Sequence, residues 1–415
     1  MNVPPRRLRA RIPAIAASIV LLPLIFWNLS SALPTPGLLD YGSFVASGRA
    51  AAEGLNPYGI YPLTFHVVLP GFESWNPNLN PPVSLPLFEL FDQVPPHQGF
   101  RLWWSFSMLC YAAAVGLLAR YHGGERWFVP ALWAFALVGF WDTLVLGQIY
   151  TPLVLAAVGA WILLDRGRPV AAGLLIGLVV AVKPNFLVWP ALLFLAGHFR
   201  APVTAGAAAA VLSVVPALIY GPDVYRQWIE LVVSDENRAV FLTNASLAGL
   251  VQRAGLAGLD KVFGPVLLAG LALWAWRRKP SAMRASALGL VGAILASPIA
   301  WVHYTLFLLP VFFFARPMPL SLRVAAALLV VPVPVVLSYL DAPSWQQVTF
   351  GSIYGWAVVL CLTGAAGPDR AGGRGDTAIG PAPARRGQGG EHQSRSSRKA
   401  QTAPRPMPAS TSDGR

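Results

Sequence analysis

Apolar runs recur along the whole chain, near residues 13–33, 100–119, 127–146, 149–165, 170–183, 185–199, 201–220, 262–277, 284–301, 303–316, 322–340 and 351–366. Each reaches or approaches the length that crosses a ~30 Å hydrocarbon core at 1.5 Å per residue. No soluble domain interrupts them. The pattern predicts an all-α polytopic membrane protein of about twelve transmembrane helices over residues 1–366, with a long first outer loop at 34–80. The shorter run Pro81 to Leu90 is read as non-spanning, because counting it inverts the charge pattern downstream. Gly147-Gln148, Lys183-Pro184 and Ser297-Pro298 interrupt runs near their outer ends. Irregular backbone at that depth survives only where protein or a water-filled cavity satisfies it, so a cavity opening on the outer side is expected.

Composition agrees with this reading. Of 415 residues, 55% are hydrophobic and only 12% charged, far below the charge of a soluble domain. The net charge of +13 changes the picture only through its distribution. Arg6, Arg7, Arg9 and Arg11 precede the first run, and residues 367–415 form a basic tail rich in Gly, Pro, Ser and Arg. Basic residues also fall in alternate turns, at Arg166 and Arg168, Arg200, and Arg277 to Lys279. This is the positive-inside signal of a multi-pass protein with both ends in the cytoplasm, not a nucleic-acid footprint. The tail cannot bury enough surface to order itself and is expected to be disordered. The first run reads as an uncleaved signal anchor. Cys110 and Cys361 lie inside apolar runs and imply neither a disulfide nor a metal framework.

With this topology, Asp40, Gln148, Lys183, Asn244, Ser246, Arg253 and His303 share the outer face. Singly they have plainer readings: a snorkelling lysine, an interfacial histidine, a helix-packing glutamine, an N-cap at Asn244 and Ser246. Together they form a constellation, since ionisable groups beside a bilayer are costly. Asp40, just past the first run, suits a general base. Lys183, Arg253 and His303 suit a departing phosphate. Asp142, before Gly147-Gln148, could line the same cavity. Phe44 to Gly54 reads as an amphipathic helix on the membrane surface, with Arg49 beside Glu53. One carboxylate facing a basic cluster describes sugar transfer from a lipid-phosphate donor to a hydroxyl, without a required metal. The alternative is a transporter or flippase of a lipid-linked saccharide, against which stands the lack of an internal repeat.

An ordered series of motifs resembles glycosyltransferase family 87, the polyprenol-phosphate-mannose-dependent alpha-1,2-mannosyltransferase-like group of the GT-C superfamily. They are Asp40-Tyr41, A-A-E-G-L-N-P-Y ending at Tyr58, N-P-P-V at 80–83, G-Q-I-Y at 147–150, V-K-P-N at 182–185, N-A-S-L at 244–247 followed by Arg253, and S-P-I-A-W-V-H-Y at 297–304. The resemblance implies a GT-C helical bundle, a polyprenyl-phosphate sugar donor and inversion at the anomeric carbon. It implies Asp40 as base, and donor phosphate at Lys183, Arg253 and His303. Tyr58, Gln148, Tyr150, Asn244 and Ser246 would bind substrate or line the cavity. It further implies a bacterial plasma-membrane location with the site on the periplasmic or extracellular side, and a glycolipid or glycan acceptor. Two departures, Tyr150 where Asn is usual and Ala245 where Gln is usual, bear on the sugar and acceptor subsites.

Overall fold

The computed structural model describes residues 5–33, 37–69, 72–122, 127–234, 237–256, 258–315 and 317–367. Apart from Gly367, the tail expected to be disordered lies outside them. The apolar runs form helices as their composition predicts. In chain order these are α1 (Pro5–Ala32), α2 (Leu39–Ala52), a hairpin of β1 (Phe65–Leu69) and β2 (Phe72–Asn76), then α3 (Leu85–Asp92), α4 (Pro96–His122), α5 (Phe128–Ala136), α6 (Val138–Leu146), α7 (Tyr150–Asp165), α8 (Pro169–Val182), α9 (Val188–Leu195) and α10 (Arg200–Tyr220). There follow α11 (Asp223–Ser234), α12 (Leu247–Arg253), α13 (Asp260–Arg278), α14 (Ala282–Leu295), α15 (Leu309–Phe314), α16 (Leu320–Leu328), α17 (Val333–Leu337), α18 (Ser344–Thr349) and α19 (Ile353–Ala366).

Among the described residues, three helices are long and apolar enough to cross a bilayer unbroken: Ile15–Ala32 within α1, α4 and α10. The pair α5 and α6 is bent by 46° and makes a fourth candidate. Six further apolar segments run 10–17 residues. Several runs that look continuous in sequence are nevertheless broken, for local reasons. Pro184 and Pro332 cannot continue a helix, and Ser297-Pro298 follows the end of α14. At the α5–α6 break Leu137 is extended (ψ 125°), which would strand backbone groups in an apolar setting. Tyr111 Oη donates to the Ala134 carbonyl at 2.6 Å, Trp141 Nε1 to Phe135 at 2.8 Å, and the Val138 amide to Leu329 at 3.1 Å. These partners for groups freed by the kink make it tolerable in an apolar setting.

Helix packing uses small residues. Ideal Cβ atoms at Gly173 and Gly177 of α8 would lie 2.5 and 2.6 Å from the Ala201 and Ala205 carbonyls of α10. The two helices therefore pack along a small-xxx-small seam.

The segment expected to be the first outer loop differs from its expected form. Helix α2 does not lie on the surface: Asp40 to Gly48, Ala50 and Ala51 are all buried. Its small residues, Gly42, Ser43, Ala46, Ser47 and Gly48, let α3 approach so closely that a Cβ on Gly48 would strike the Phe88–Glu89 backbone. Arg49 pairs not with Glu53 but with Asp92 on α3, Nε to Oδ1 at 2.8 Å. Helix α3, at eight residues or ~12 Å, is too short to span, as read. The antiparallel hairpin, with Phe65 opposite Asn76 and Leu69 opposite Phe72, was not anticipated. The Phe65 amide donates to Ser43 Oγ at 2.9 Å, tying it to α2.

Candidate active site

Where the broken helices meet α2 and the hairpin, a cavity of about 630 Å³ opens. Its polar wall holds Asp40, Asp142, Gln148, Tyr150, Lys183, Asn185, Arg238, His303 and Tyr304. Its apolar wall comes from Phe44, the hairpin residues Phe65, Val67, Leu69 and Phe72, Trp228 and Val232 of α11, Phe241, Trp301, and Val333 and Leu337 of α17. A polar reaction zone against a long apolar wall suits an amphiphilic ligand.

Asp40 stands in the first turn of α2, outside the apolar runs, and is only 8% exposed. The residue before it, Leu39, has φ +48°, a left-handed conformation costly for a branched side chain and typical of sites that aim a group. Gln148 Nε2 donates to Asp40 Oδ2 at 2.6 Å. Burial pushes the Asp40 carboxyl up to about 6, while the Gln148 hydrogen bond and the charges of Arg238 and Lys183 restrain the rise. A carboxylate so poised can accept a proton near neutral pH.

Gln148 is aimed by Gly147, which closes α6 at φ +71° and whose carbonyl accepts from Trp103 Nε1 at 2.9 Å. Lys183 ends α8 ahead of Pro184, with its ammonium 4.4 Å from the Tyr150 ring centroid and 5.5 Å from that of Tyr304. These are cation–π contacts, so the charge rests on rings rather than on a carboxylate. His303 opens a 3-10 segment, Val302–Leu308, and its Nδ1 lies 2.9 Å from Asp142 Oδ2. The Tyr150 ring also packs on His303, centroids 4.3 Å apart. Tyr150 thus sits between the lysine and the histidine.

Four expected residues stand elsewhere. Arg253 does not line the cavity: Nε donates to Ser352 Oγ at 2.7 Å, Nη1 to the Phe241 carbonyl at 2.8 Å and Nη2 to that of Asn244 at 2.9 Å. Its donors are committed to chain oxygens, which corrects its assignment to phosphate. Arg253→Ala is therefore expected to lower unfolding stability by roughly 2–4 kcal/mol, leaving several buried acceptors bare. Thermal unfolding checks this, and a selective rise in donor KM without a stability loss would contradict it.

Tyr58 does not line the cavity itself but is buried behind it, its hydroxyl 3.4 Å from the carbonyl of the lining residue Asn80. Ser246 caps α12, its side chain accepting from the Gly249 amide at 3.1 Å, so the capping reading holds. Asn244 is a brace: its Oδ1 accepts from the amides of Ser246 and Ala300 at 3.1 and 2.9 Å, and its Nδ2 donates to Ala239 at 2.8 Å. It holds the 297–301 segment that delivers His303. Arg238, which the constellation lacked, lines the cavity, with Nη1 on Asn76 Oδ1 at 2.7 Å and Nη2 on the Trp75 carbonyl. An arginine on the predicted outer side runs against the positive-inside bias, and that was its signal. Among the described residues, no three His, Cys, Asp or Glu side chains gather to hold a metal ion.

Residues 78–298, about half of the chain, match the family model of glycosyltransferase family 87. The chain belongs to that family. It is a membrane glycosyltransferase, and the matched stretch contains Asp142, Gln148, Tyr150, Lys183 and Arg238, while His303 falls just past its C-terminal end and Asp40 well before its start. A polyprenol-phosphate-mannose-dependent alpha-(1-2)-phosphatidylinositol pentamannoside mannosyltransferase of Mycobacterium tuberculosis (strain CDC 1551 / Oshkosh) is 28% identical over 331 residues, 72% of this chain and 73% of the relative. A protein of the same description from Mycolicibacterium smegmatis (strain ATCC 700084 / mc(2)155) is 30% identical over 58% of this chain and 66% of its own length. A polyprenol-phosphate-mannose-dependent alpha-(1-2)-phosphatidylinositol mannoside mannosyltransferase from the same organism is 26% identical over 52% of this chain and 55% of its own. No solved structure matches the glycosyltransferase.

Proposed function

We propose that this glycosyltransferase moves mannose from a polyprenyl-phosphate donor to a hydroxyl of a lipid-linked or cell-envelope glycan, with inversion, at the outer face of the plasma membrane. The observation that carries the reading is the single cavity in which Asp40 faces Lys183, Arg238 and His303 beside an apolar wall. Polyprenyl phosphate and mannose are taken from the relatives' descriptions, as is a mannosylated lipid acceptor. The topogenic charges support the outer side, since the positive-inside pattern has the turns at Gly147, Lys183 and Ser297 opposite the basic turns. The cavity is built from those three turns.

In this reading Asp40 takes the proton of the acceptor hydroxyl as its oxygen bonds to the anomeric carbon. The bond from that carbon to phosphate breaks, and its electron pair leaves on the phosphate oxygen. Lys183, Arg238 and His303 meet the growing charge, in the manner of a preorganised anion site. The second carboxylate, Asp142, is engaged by His303, which leaves one base and supports single displacement.

Transfer of radiolabelled mannose from polyprenyl-phosphate-mannose into lipid or glycan products by purified protein tests the proposal; absence of transfer by folded protein would refute it. In the same assay Lys183→Gln is expected to lower kcat/KM for the donor about 10²- to 10³-fold, the range seen on removing one transition-state donor. A change below threefold would take Lys183 out of the phosphate role.

A further inference from the structure

We infer that Asp142 is a positioning residue for the transfer, acting through His303. The inference rests on the proposed function for its purpose and on geometry for its content. Asp142 lies in apolar helix α6, where a carboxylate is expensive unless it has work to do. The contact that engages it is His303 Nδ1 at 2.9 Å. The pairing is built into the backbone: a Cβ on Gly139, one helical turn before Asp142, would lie 2.8 Å from the Val302 carbonyl and 3.2 Å from His303 Cα. That close approach of α6 to the 3-10 segment sets the two side chains level.

The carboxylate decides what the imidazole can do. With Nδ1–H committed to Asp142, the other nitrogen is the one left for a ligand, and Nε2 is buried with no hydrogen-bond partner among the described residues. Other groups around the ring are Tyr150 and Tyr304, which stack near it, and the Lys183 ammonium beyond Tyr150. Asp142 therefore prevents the ring from flipping, and its charge favours protonation of Nε2 as a phosphate's negative charge arrives, the form in which Nε2–H donates to a phosphate oxygen. Removing the carboxylate's charge loosens the phosphate rather than the acceptor.

The test uses full-length protein in detergent and decaprenyl phosphate as probe. Its affinity is read by thermal stabilisation for wild type, Asp142→Asn, His303→Ala and the double variant, with Asp142→Glu as a second single variant. In parallel, kcat and KM are measured for transfer from polyprenyl-phosphate-mannose. Asp142→Asn, which keeps the shape and loses the charge, is expected to weaken decaprenyl phosphate about tenfold and lower kcat 10- to 100-fold, with acceptor KM within twofold. The double variant should match His303→Ala, because the two residues act as one unit. Asp142→Glu, which keeps the charge, should retain more affinity than Asp142→Asn. Additive losses, an Asp142→Asn protein that binds decaprenyl phosphate as wild type does, an Asp142→Glu protein that binds no better than Asp142→Asn, or no binding by the wild type would overturn the inference. If the wild type binds decaprenyl phosphate but transfers no mannose, the proposed function fails while the coupling of Asp142 to His303 is still decided by the binding series.

Discussion

Asp40→Asn is expected to reduce sugar transfer by roughly 10²- to 10⁴-fold while leaving a folded protein, since that is what a positioned base contributes and the amide cannot accept the proton. The side chains are nearly the same size, and Gln148 can still donate to the amide oxygen. Wild-type activity should fall on the acid side with a midpoint near pH 6, because burial holds the carboxyl there. The stability effect has the opposite sense. In the folded protein the group sits near 6 against an ordinary value of 3.8, so its protonated form is favoured by folding. Its contribution to stability is full below about pH 4 and is lost as pH rises through 6. Above pH 7 ionised Asp40 therefore opposes folding by up to about 3 kcal/mol. Asp40→Asn should melt higher than wild type at pH 7.5 and alike at pH 4. Unfolding curves at the two pH values, alongside the mannose assay, decide it: retained transfer removes Asp40 from the base role, and a lower melting point at pH 7.5 removes the burial argument.

Gly147→Ala is expected to be the most damaging single methyl group in the site. At φ +71° any side chain costs about 1–2 kcal/mol. The added Cβ would also lie 2.6 Å from Phe100 Cε2 and 2.6 Å from Tyr41 Cβ. The phenylalanine ring can rotate, but Tyr41 Cβ is fixed to the backbone of the turn that carries Asp40. Overpacking of this kind costs typically 1–3 kcal/mol, so a total of roughly 2–5 kcal/mol is expected. Relief by backbone movement would pull Gln148 from Asp40, so kcat should fall as well. Thermal unfolding and kcat measured together check this, and a variant with wild-type values in both would show that the turn has slack.

Much of the site could be read from the chain because the membrane makes polar residues conspicuous. Asp40, Gln148, Lys183 and His303 stand where apolar runs end, and the cost of an ionisable group there leaves few bland explanations. Breaks at Gly147, Lys183-Pro184 and Ser297-Pro298 announced a cavity for the same reason: backbone without helix partners needs something else to satisfy it.

What the sequence determined by itself was thus the helical membrane class, the family and several of the polar residues that meet in the cavity, because each rests on composition and position along the chain. Which of two arginines enters the cavity was decided only in three dimensions. Arg238 and Arg253 lie in one stretch between α11 and α13, and nothing local distinguishes them; the guanidinium of Arg253 finds Ser352, ninety-nine residues away in sequence, and that of Arg238 finds the hairpin. Tertiary packing likewise buried α2, whose small residues read as weak amphipathicity in sequence but act as room for α3 to approach. It also made Asp142 the partner of His303 across 161 residues. Hydrogen-bond partners and close approaches of this kind are properties of distance between segments, which hydrophobic periodicity does not encode.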